Sequence, residues 1–190
     1  MNRGHLTRIE LASALERGVR QLVFIGTREA APEELRDPSG SSLQLFAVDE
    51  QAPAASTLTF VPTRFESEEL SAALGRSSFD KLKASLFIWF GDVGYRTAEA
   101  ALSTLSFIAS LPKGSGVVFD YAAERSPLGS CAGTALDALA SRTSCGGVIR
   151  HLIQPQAVAA MLRGLGFGHM TDHIDEELSQ FDGHIVSALV

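Results

Sequence analysis

The residues with the clearest chemical implication are Gly26 and the loop that follows it, Thr27–Ala30. Gly26 closes the run Gln21–Ile25, whose last four side chains are all apolar. A short apolar run of this kind predicts a strand buried on both faces of a parallel sheet. Nucleotide-binding α/β proteins turn from their first strand towards the ligand at a glycine in this position. The sequence therefore predicts a ligand site at Gly26 and the loop after it.

A second group of residues has the composition of a metal site. His169 and His173 are four residues apart, with Asp172 and Asp175 close by. Side chains four apart on a strand share a face, so two imidazoles and a carboxylate could meet there. We interpret the stretch instead as a strand with its exit loop, and we predict no metal site.

Acidic and aromatic residues close several of the predicted strands. Asp49 ends one strand, and two readings remain open for it: a solvated or helix-capping acid, or a cofactor contact. Asp120 and Tyr121 end another strand at the same edge. We expect the pair to hydrogen-bond to a neighbouring loop, with catalysis as the alternative. Trp89 is interpreted as a core residue.

The composition is that of an ordinary soluble globular protein, with 190 residues, 45% of them hydrophobic and 20% charged. The length predicts one domain over residues 1–190. A net charge of −6 without a basic patch argues against a nucleic-acid partner. No apolar run approaches the roughly 18 residues of a membrane helix, and no signal-peptide core is visible. A cytoplasmic location is therefore expected, in which Cys131 and Cys145 are free thiols rather than a disulfide.

Apolar periodicity and turn signals predict strands that alternate with helices. The predicted strands are Gln21–Ile25, Leu43–Val48, Thr57–Pro62, Ala84–Phe90, Gly116–Tyr121, Phe167–His173 and His184–Val190, with Gly146–Leu152 as a further extended segment. The predicted helices are Thr7–Arg17, one that begins at Pro32, Ser67–Gly75, Ala98–Leu111, Ala132–Ser141, Gln156–Leu165 and Asp175–Gln180. This alternation is typical of a doubly wound α/β sheet.

Several blocks of sequence follow one another in an order that recurs in a known family. These blocks are Gly18–Gly26, Phe46–Asp49, Thr59–Pro62, Phe79–Asp80, Leu86–Gly91, Tyr95–Thr97, Thr104–Ser115, Val117–Tyr121 and Gly164–Phe167. The pattern resembles the leucine carboxyl methyltransferase-like family of S-adenosylmethionine-dependent O-methyltransferases. The resemblance implies a Rossmann-like class I methyltransferase sheet of seven strands, in the order 3-2-1-4-5-7-6 with strand 7 antiparallel.

The same resemblance implies where a cofactor and a substrate would bind. S-adenosylmethionine would lie over the carboxyl ends of strands 1, 2 and 4, at the topological switch. Asp49 matches the acid that binds the ribose, since its two oxygens can accept from both hydroxyls. The residues that match cofactor-binding positions are Gly26, Thr27, Asp49, Thr63, Phe90 and Gly91. Asp92 and Tyr95, in the loop after strand 4, are the implied substrate contacts; no catalytic residue is assigned.

The chain also departs from the family pattern around the cofactor. The family's first loop reads Gly-x-Gly-x-Asp, whereas here Arg28 replaces the second glycine and Ala30 the acid, with Glu29 as a shifted alternative. Thr63 or Arg64 stands where the family has an acid after strand 3. Phe90 replaces the glutamate of a Trp-Glu-Gly motif that many members carry after strand 4.

Two further departures concern the substrate cover. The family's N-terminal Arg-Thr-Arg segment is reduced to Arg3–His5, and the linker Gln51–Ser56 replaces a helix. We therefore expect the N-terminal lid segment to be largely missing and water to be poorly excluded.

Two functions of different classes follow. The first is an S-adenosylmethionine-dependent O-methyltransferase that acts on a carboxylate or hydroxyl of a small molecule by in-line displacement. The alternative is a catalytically inactive methyltransferase-fold module for binding or assembly, and a loop Gly26–Ala31 in which Arg28 fills the cleft would favour it. The replaced contacts predict weak or absent cofactor binding, with a dissociation constant on the order of 1 mM. The expected partner is a small-molecule substrate, and a homodimer is the oligomer open to the chain.

Overall fold

The computed structural model describes residues 3–26, 43–52, 58–65, 68–91, 97–123, 152–174 and 183–190. In these ranges the helices are α1 (Arg3–Glu16), α2 (Leu70–Gly75), α3 (Ala98–Ala109) and α4 (Pro155–Leu165). The strands are β1 (Gln21–Ile25), β2 (Gln44–Asp49), β3 (Thr59–Pro62), β4 (Ser85–Trp89), β5 (Gly116–Ala123), β6 (Leu152–Ile153), β7 (His169–Ile174) and β8 (Gly183–Leu189).

All eight strands belong to one sheet. Its order is β3-β2-β1-β4-β5-β8-β7, and the two-residue strand β6 pairs beside the end of β5. The first five strands are parallel, whereas β8 is antiparallel to both of its neighbours. With β6 set aside, this is the order 3-2-1-4-5-7-6 with the seventh strand antiparallel. The predicted doubly wound α/β class is confirmed.

The central strands β1, β4 and β5 are adjacent, parallel and buried. Leu22 pairs with Leu86, and Phe87 pairs with Val117. Every residue of β1 and of β4 is buried, including Trp89, which is fully inaccessible to solvent. An uninterrupted apolar run predicts burial on both faces of a sheet, and here that prediction is confirmed.

Helices cover both faces of the sheet. Side chains from α2, α3 and α4 pack on the face that carries Val117, Phe119 and Tyr121. Helix α1 packs on the opposite face, which carries Val118. Because strand side chains alternate, neighbours such as Asp120 and Tyr121 point to opposite faces. This alternation separates the functional groups described below into two environments.

Two element boundaries differ from the prediction for an identifiable reason. Helix α1 begins at Arg3 and not at Thr7, because the Arg3 side chain is held by a distant acid on β5. Strand β5 continues past Tyr121 to Ala123, because β6 and β8 supply partners for its last residues. Other boundaries shift by one to three residues, as is usual for frayed ends.

Several predicted features lie outside the described residues. They are the helix from Pro32, most of the linker Gln51–Ser56, the helices Ala132–Ser141 and Asp175–Gln180, the segment Gly146–Leu152 apart from its last residue, and both cysteines. Among the helices that are described, none has the length and apolar character needed to cross a membrane.

Candidate functional site

The carboxyl ends of the five parallel strands meet at one edge of the sheet. At the end of β1, Gly26 has φ 62°, a left-handed conformation that glycine adopts without a Cβ penalty. Its N–H donates to the carbonyl of Val48 at 3.0 Å, which keeps the start of the loop against β2. The left-handed conformation of Gly26 thus ends β1, and the loop after it lies outside the described residues.

Asp49 ends β2 at this edge, and its two carboxylate oxygens have different roles. Oδ1 accepts from the backbone N–H of Glu50 at 2.6 Å and of Gln51 at 3.3 Å. This is the Asx-type turn that aspartate favours at strand exits. Oδ2 has no hydrogen-bond partner among the described residues. Only one oxygen of Asp49 is therefore uncommitted, whereas the sequence interpretation assumed two.

A hydrogen-bond network at the end of β3 is built around Thr63, Glu68 and Arg76. The Thr63 backbone N–H donates to the carbonyl of Asp49 at 3.1 Å, and its hydroxyl donates to Glu68 Oε2 at 3.2 Å. Arg76 forms an ion pair with Glu68 and also donates to the carbonyl of Pro62 at 3.2 Å. The bond from Arg76, with help from that of Thr63, lowers the pKa of Glu68 below its ordinary value. Glu68 is therefore a fixed, ionised carboxylate.

These residues border an open cleft of about 730 Å³. It is lined by Glu50, Gln51, Pro62, Thr63, Arg64 and Glu68. The cleft therefore begins where β2 and β3 end, beside Asp49. Its lining residues include a buried hydroxyl (Thr63), an amide (Gln51) and charged residues of both signs (Glu50, Arg64 and Glu68). Such a set suits a polar, hydrogen-bonding ligand.

A second network joins the ends of β4 and β5 through the buried acid Asp120. Gly91 follows β4 with φ 74°, and its N–H donates to Asp120 Oδ1 at 2.7 Å. Arg3 of helix α1 pairs with Oδ2 of the same carboxylate. The Arg3 guanidinium also lies 5.7 Å from the centre of the Phe90 ring, in cation–π geometry. Asp120 thus holds Gly91, and the predicted hydrogen bond to the residues after β4 is confirmed for Asp120 at this position.

The structure brings together some of the sequence-predicted site residues. Asp49 and Thr63 are in direct backbone contact, and Phe90 and Gly91 are linked through Arg3 and Asp120. Thr27, Asp92 and Tyr95 lie outside the described residues, as does the loop residue Arg28 that was to discriminate between the two functions. The described residues contain no group of three His, Cys, Asp or Glu side chains placed to hold a metal ion.

Sequence reasoning missed Glu68 and underrated Arg3. An acid after strand 3 was sought at Thr63 and Arg64, immediately after the strand, whereas the acid that the structure places beside Thr63 is Glu68, five residues further along. Glu68 stands just before α2 and Arg76 just after it, so their ion pair forms only once that helix has folded. Arg3 was treated as a remnant of a longer segment, but it contacts both Phe90 and Asp120.

The sheet order and the helices on both faces match solved methyltransferase structures. The chain has a methyltransferase fold. It superposes with a TM-score of 0.66 on a putative methyltransferase from Thermobifida fusca, at 12% identity over 99% of this chain and 79% of the other. A DUF574 family protein from Streptomyces avermitilis matches with a TM-score of 0.57, at 16% identity over 99% and 82%.

A third structure that matches contains a cofactor product. It is the 1,6-didemethyltoxoflavin-N1-methyltransferase of Burkholderia thailandensis with S-adenosylhomocysteine bound, which has a TM-score of 0.55 and 13% identity over 96% of this chain and 76% of that enzyme. Across these and further matching structures, this chain spans between 50% and 86% of the other chain's length. No protein-family model matches the chain, and no curated protein does so. At these identities the comparison establishes the fold.

Proposed function

We propose that the protein is an S-adenosylmethionine-dependent O-methyltransferase that acts on a carboxylate or hydroxyl of a small molecule. We also propose that it is related to the leucine carboxyl methyltransferase-like family, on the sequence blocks given above. The observation that carries the proposal is the pair of carboxylates Asp49 and Glu68, which stand beside a polar cleft at the ends of β2 and β3. The methyltransferase fold supports it, because ligands of doubly wound sheets bind at this edge.

The described residues fit the adenosine half of S-adenosylmethionine. Asp49 Oδ2 is available to accept from a ribose hydroxyl, because only Oδ1 is used by the turn. Glu68, ionised and held by Arg76, can accept from the adenine amino group. Thr63 lies between the two carboxylates, is uncharged and is 4% exposed. It can therefore border the adenine ring.

The methionine half would lie towards the ends of β1 and β4. Gly26 permits close backbone approach to the ligand, and Phe90 with Gly91 would border the sulfonium. When bound, S-adenosylmethionine supplies an electrophilic methyl group for in-line displacement. Thr27 is proposed to complete the cofactor contacts, and Asp92 and Tyr95 to contact the substrate.

A contact from Glu68 to the cofactor raises the expected affinity above the value that the sequence departures alone predict. The sequence departures alone predict a dissociation constant on the order of 1 mM. A hydrogen bond to a charged group contributes about 1.5–3 kcal/mol, which corresponds to about one to two decades. We therefore predict a dissociation constant of about 10–100 μM for S-adenosylmethionine. The two replaced positions in the first loop, Arg28 and Ala30, keep the affinity from being higher.

Isothermal titration with S-adenosylmethionine and S-adenosylhomocysteine tests the proposal. Glu68→Gln and Asp49→Asn should each weaken binding by at least about tenfold, because each removes a charged acceptor. The matched control is Glu69→Gln, which changes the same charge on an exposed neighbour that does not line the cleft. It should leave the affinity unchanged within about twofold.

Two results would overturn the proposal. One is the absence of saturable heat for both ligands at millimolar concentration, which would favour the inactive module instead. The other is equal affinity in wild type and Glu68→Gln, which would place the adenosine elsewhere.

A further inference from the structure

Three side chains of β5, β7 and β8 form a third polar cluster. Tyr121 of β5 donates its hydroxyl proton to Asp172 Oδ2 at 2.7 Å. His184 of β8 places Nδ1 at 2.9 Å from Asp172 Oδ1. The Tyr121 and His184 rings lie 5.2 Å apart between centroids and are inclined by 33°. We refer to Tyr121, Asp172 and His184 as the His184 cluster.

The hydrogen bonds of the cluster fix the chemistry of the imidazole. An ionised carboxylate can only accept, so Asp172 directs the Nδ1–H of His184 towards itself. The lone pair of a neutral His184 is then on Nε2, and no hydrogen bond to Nε2 occurs among the described residues. The side chain of His184 is 18% exposed, so this nitrogen can be reached from solvent. A histidine oriented by a carboxylate in this way is the usual form of a general base.

Tyr121 strengthens this orientation. Burial, together with the bond to Asp172, raises the pKa of the Tyr121 hydroxyl above its ordinary value. Tyr121 therefore keeps its proton and acts as a donor at physiological pH. Since it occupies Oδ2, it leaves Oδ1 of Asp172 for His184. The ring of Tyr121, 4% exposed, also limits where the imidazole can turn.

The cluster lies at the functional edge of the sheet. His184 pairs in register with Tyr121, two residues beyond Phe119, which pairs with the last residue of β4. It therefore projects about 7 Å past the end of β4. Asp120, the residue before Tyr121, bonds to Gly91 in the loop where the reacting methyl group is proposed to lie. His184 thus lies on β8, with β5 between it and β4. It is on the face of the sheet that α3 and α4 cover.

We propose that His184 is the proton acceptor for methyl transfer to a hydroxyl group, with Asp172 and Tyr121 as its positioning residues. The inference rests on the proposed function and narrows its substrate class to alcohols or phenols, since a carboxylate is already ionised and needs no base. The acceptor oxygen bonds to the methyl carbon while the carbon–sulfur bond breaks and leaves its electron pair on sulfur. The hydroxyl proton passes to Nε2 of His184, and Asp172 stabilises the imidazolium.

A spectroscopic probe tests the base without methyl transfer. 4-Cyanophenol absorbs differently as phenol and as phenolate, and at about pH 7 the free compound is mostly protonated whereas an ordinary imidazole is mostly neutral. Saturable binding to the wild-type protein should raise the phenolate fraction by at least about threefold, because Nε2 accepts the proton. His184→Gln should abolish that rise. Asp172→Asn should reduce it while keeping the ring, and this carboxylate is exposed enough that the variant should fold.

The matched control is His173→Gln, which removes a histidine of β7 whose register places it on the opposite face from Asp172. It should leave the phenolate signal unchanged. Absence of saturable binding, or a signal that persists in His184→Gln, would overturn the assignment of the base.

The same proteins are titrated with S-adenosylmethionine, and His184→Gln should bind it as wild type does. If wild type binds S-adenosylmethionine but its phenolate signal does not depend on His184, the base alone is overturned. If the signal depends on His184 but S-adenosylmethionine does not bind, the methyl-transfer function is overturned and the base stands.

Discussion

The polar residues at the carboxyl edge of the sheet fall into two groups. One group is proposed to contact the ligand, and the other stabilises the fold. Asp49 Oδ2 accepts no hydrogen bond from the described residues, and Glu68, whose oxygens accept from Thr63 and Arg76, lines the cleft. Asp120, in contrast, is 6% exposed and spends both oxygens on Gly91 and Arg3. A buried acid with two donors is expected to stabilise the backbone at Gly91, and its removal would leave the Gly91 N–H without this acceptor. We therefore assign Asp120 a positioning role.

The aromatic residues of β5 are expected to dominate stability at the residue scale. Phe119 is 2% exposed and packs in the core beneath α3 and α4. Phe119→Ala should lower the free energy of unfolding by about 3–5 kcal/mol, because it removes buried apolar surface and leaves a cavity. Urea denaturation of both proteins would measure the loss. Leu82→Ala is the control, since Leu82 is 79% exposed and should change stability by less than about 0.5 kcal/mol. A loss below about 1 kcal/mol for Phe119→Ala would contradict the burial of its ring.

The candidate site residues that directly follow a strand could be predicted from the sequence. Glu68 and Arg3, which do not follow a strand, could not. Gly26, Asp49 and Thr63 each come next to an apolar run, so their place at the carboxyl edge follows from the parallel sheet. Arg3 reaches the edge through its pairing with Asp120, 117 residues away in sequence, and Glu68 through the fold of the chain back onto Thr63. Periodicity carries no information about such contacts. The two Asp49 oxygens differ in their hydrogen bonds because a local turn uses only one of them.

At the scale of elements, the close approach of β5 to β8 depends on Gly116. A Cβ at this position would stand 2.6 Å from Leu189 Cδ2 and 2.8 Å from the carbonyl oxygen of Ala188. The backbone oxygen belongs to the paired strand, so it cannot move without disturbing the ladder. Gly116→Ala should therefore cost about 1–3 kcal/mol of unfolding free energy.

Gly164→Ala is the matched control for this prediction. Gly164 lies in α4, and a Cβ there would meet no atom within 4 Å. Alanine is the better helix former, so this change should stabilise the protein by about 0.5 kcal/mol. Thermal and urea unfolding would compare the two variants. Equal stability of Gly116→Ala and wild type would mean that β5 and β8 are further apart than described.

The elements themselves were largely predictable, since the central strands are short uninterrupted apolar runs and a helix such as α4 has one apolar face. Helix α4, for example, ends at Gly166 with φ 104°, a C-cap that the sequence indicates by glycine alone. The extension of α1 to Arg3 was not predictable, because its first turn is fixed by Asp120 on β5. The end of β5 likewise depends on β6 and β8.

At the scale of the whole molecule, one edge of the sheet carries three polar sites in a row. The ends of β2 and β3 hold Asp49 and Glu68, the ends of β4 and β5 hold Gly91 and Asp120, and β5, β7 and β8 hold the His184 cluster. This order matches a ligand laid along the edge with its adenosine at the first site and its methyl group near the second. A hydroxyl acceptor would then lie between the second and third sites.

Binding of S-adenosylmethionine at this edge must stabilise the whole fold, because only the native sheet brings the strand ends together. With a dissociation constant of about 10–100 μM, about 1 mM ligand should raise the free energy of unfolding by about 1.4–2.7 kcal/mol. We propose that the sequence of the first loop limits this increase in stability. Arg28→Gly with Ala30→Asp restores the pattern of the resembling family at the two replaced positions of the loop. The restored acid can accept from the amino group of the ligand.

We predict that the double variant Arg28→Gly, Ala30→Asp binds S-adenosylmethionine at least about tenfold more tightly than wild type. The same ligand concentration should then raise the free energy of unfolding by about 2.7–4.1 kcal/mol, which thermal unfolding with and without ligand would measure. Without ligand, the double variant should be no more stable than wild type, since a glycine increases the entropy of the unfolded chain. The ligand-dependent difference therefore isolates the loop. An equal ligand-induced shift in both proteins would show that the loop does not limit affinity, and that the cofactor is held by the ends of β2, β3 and β4 alone.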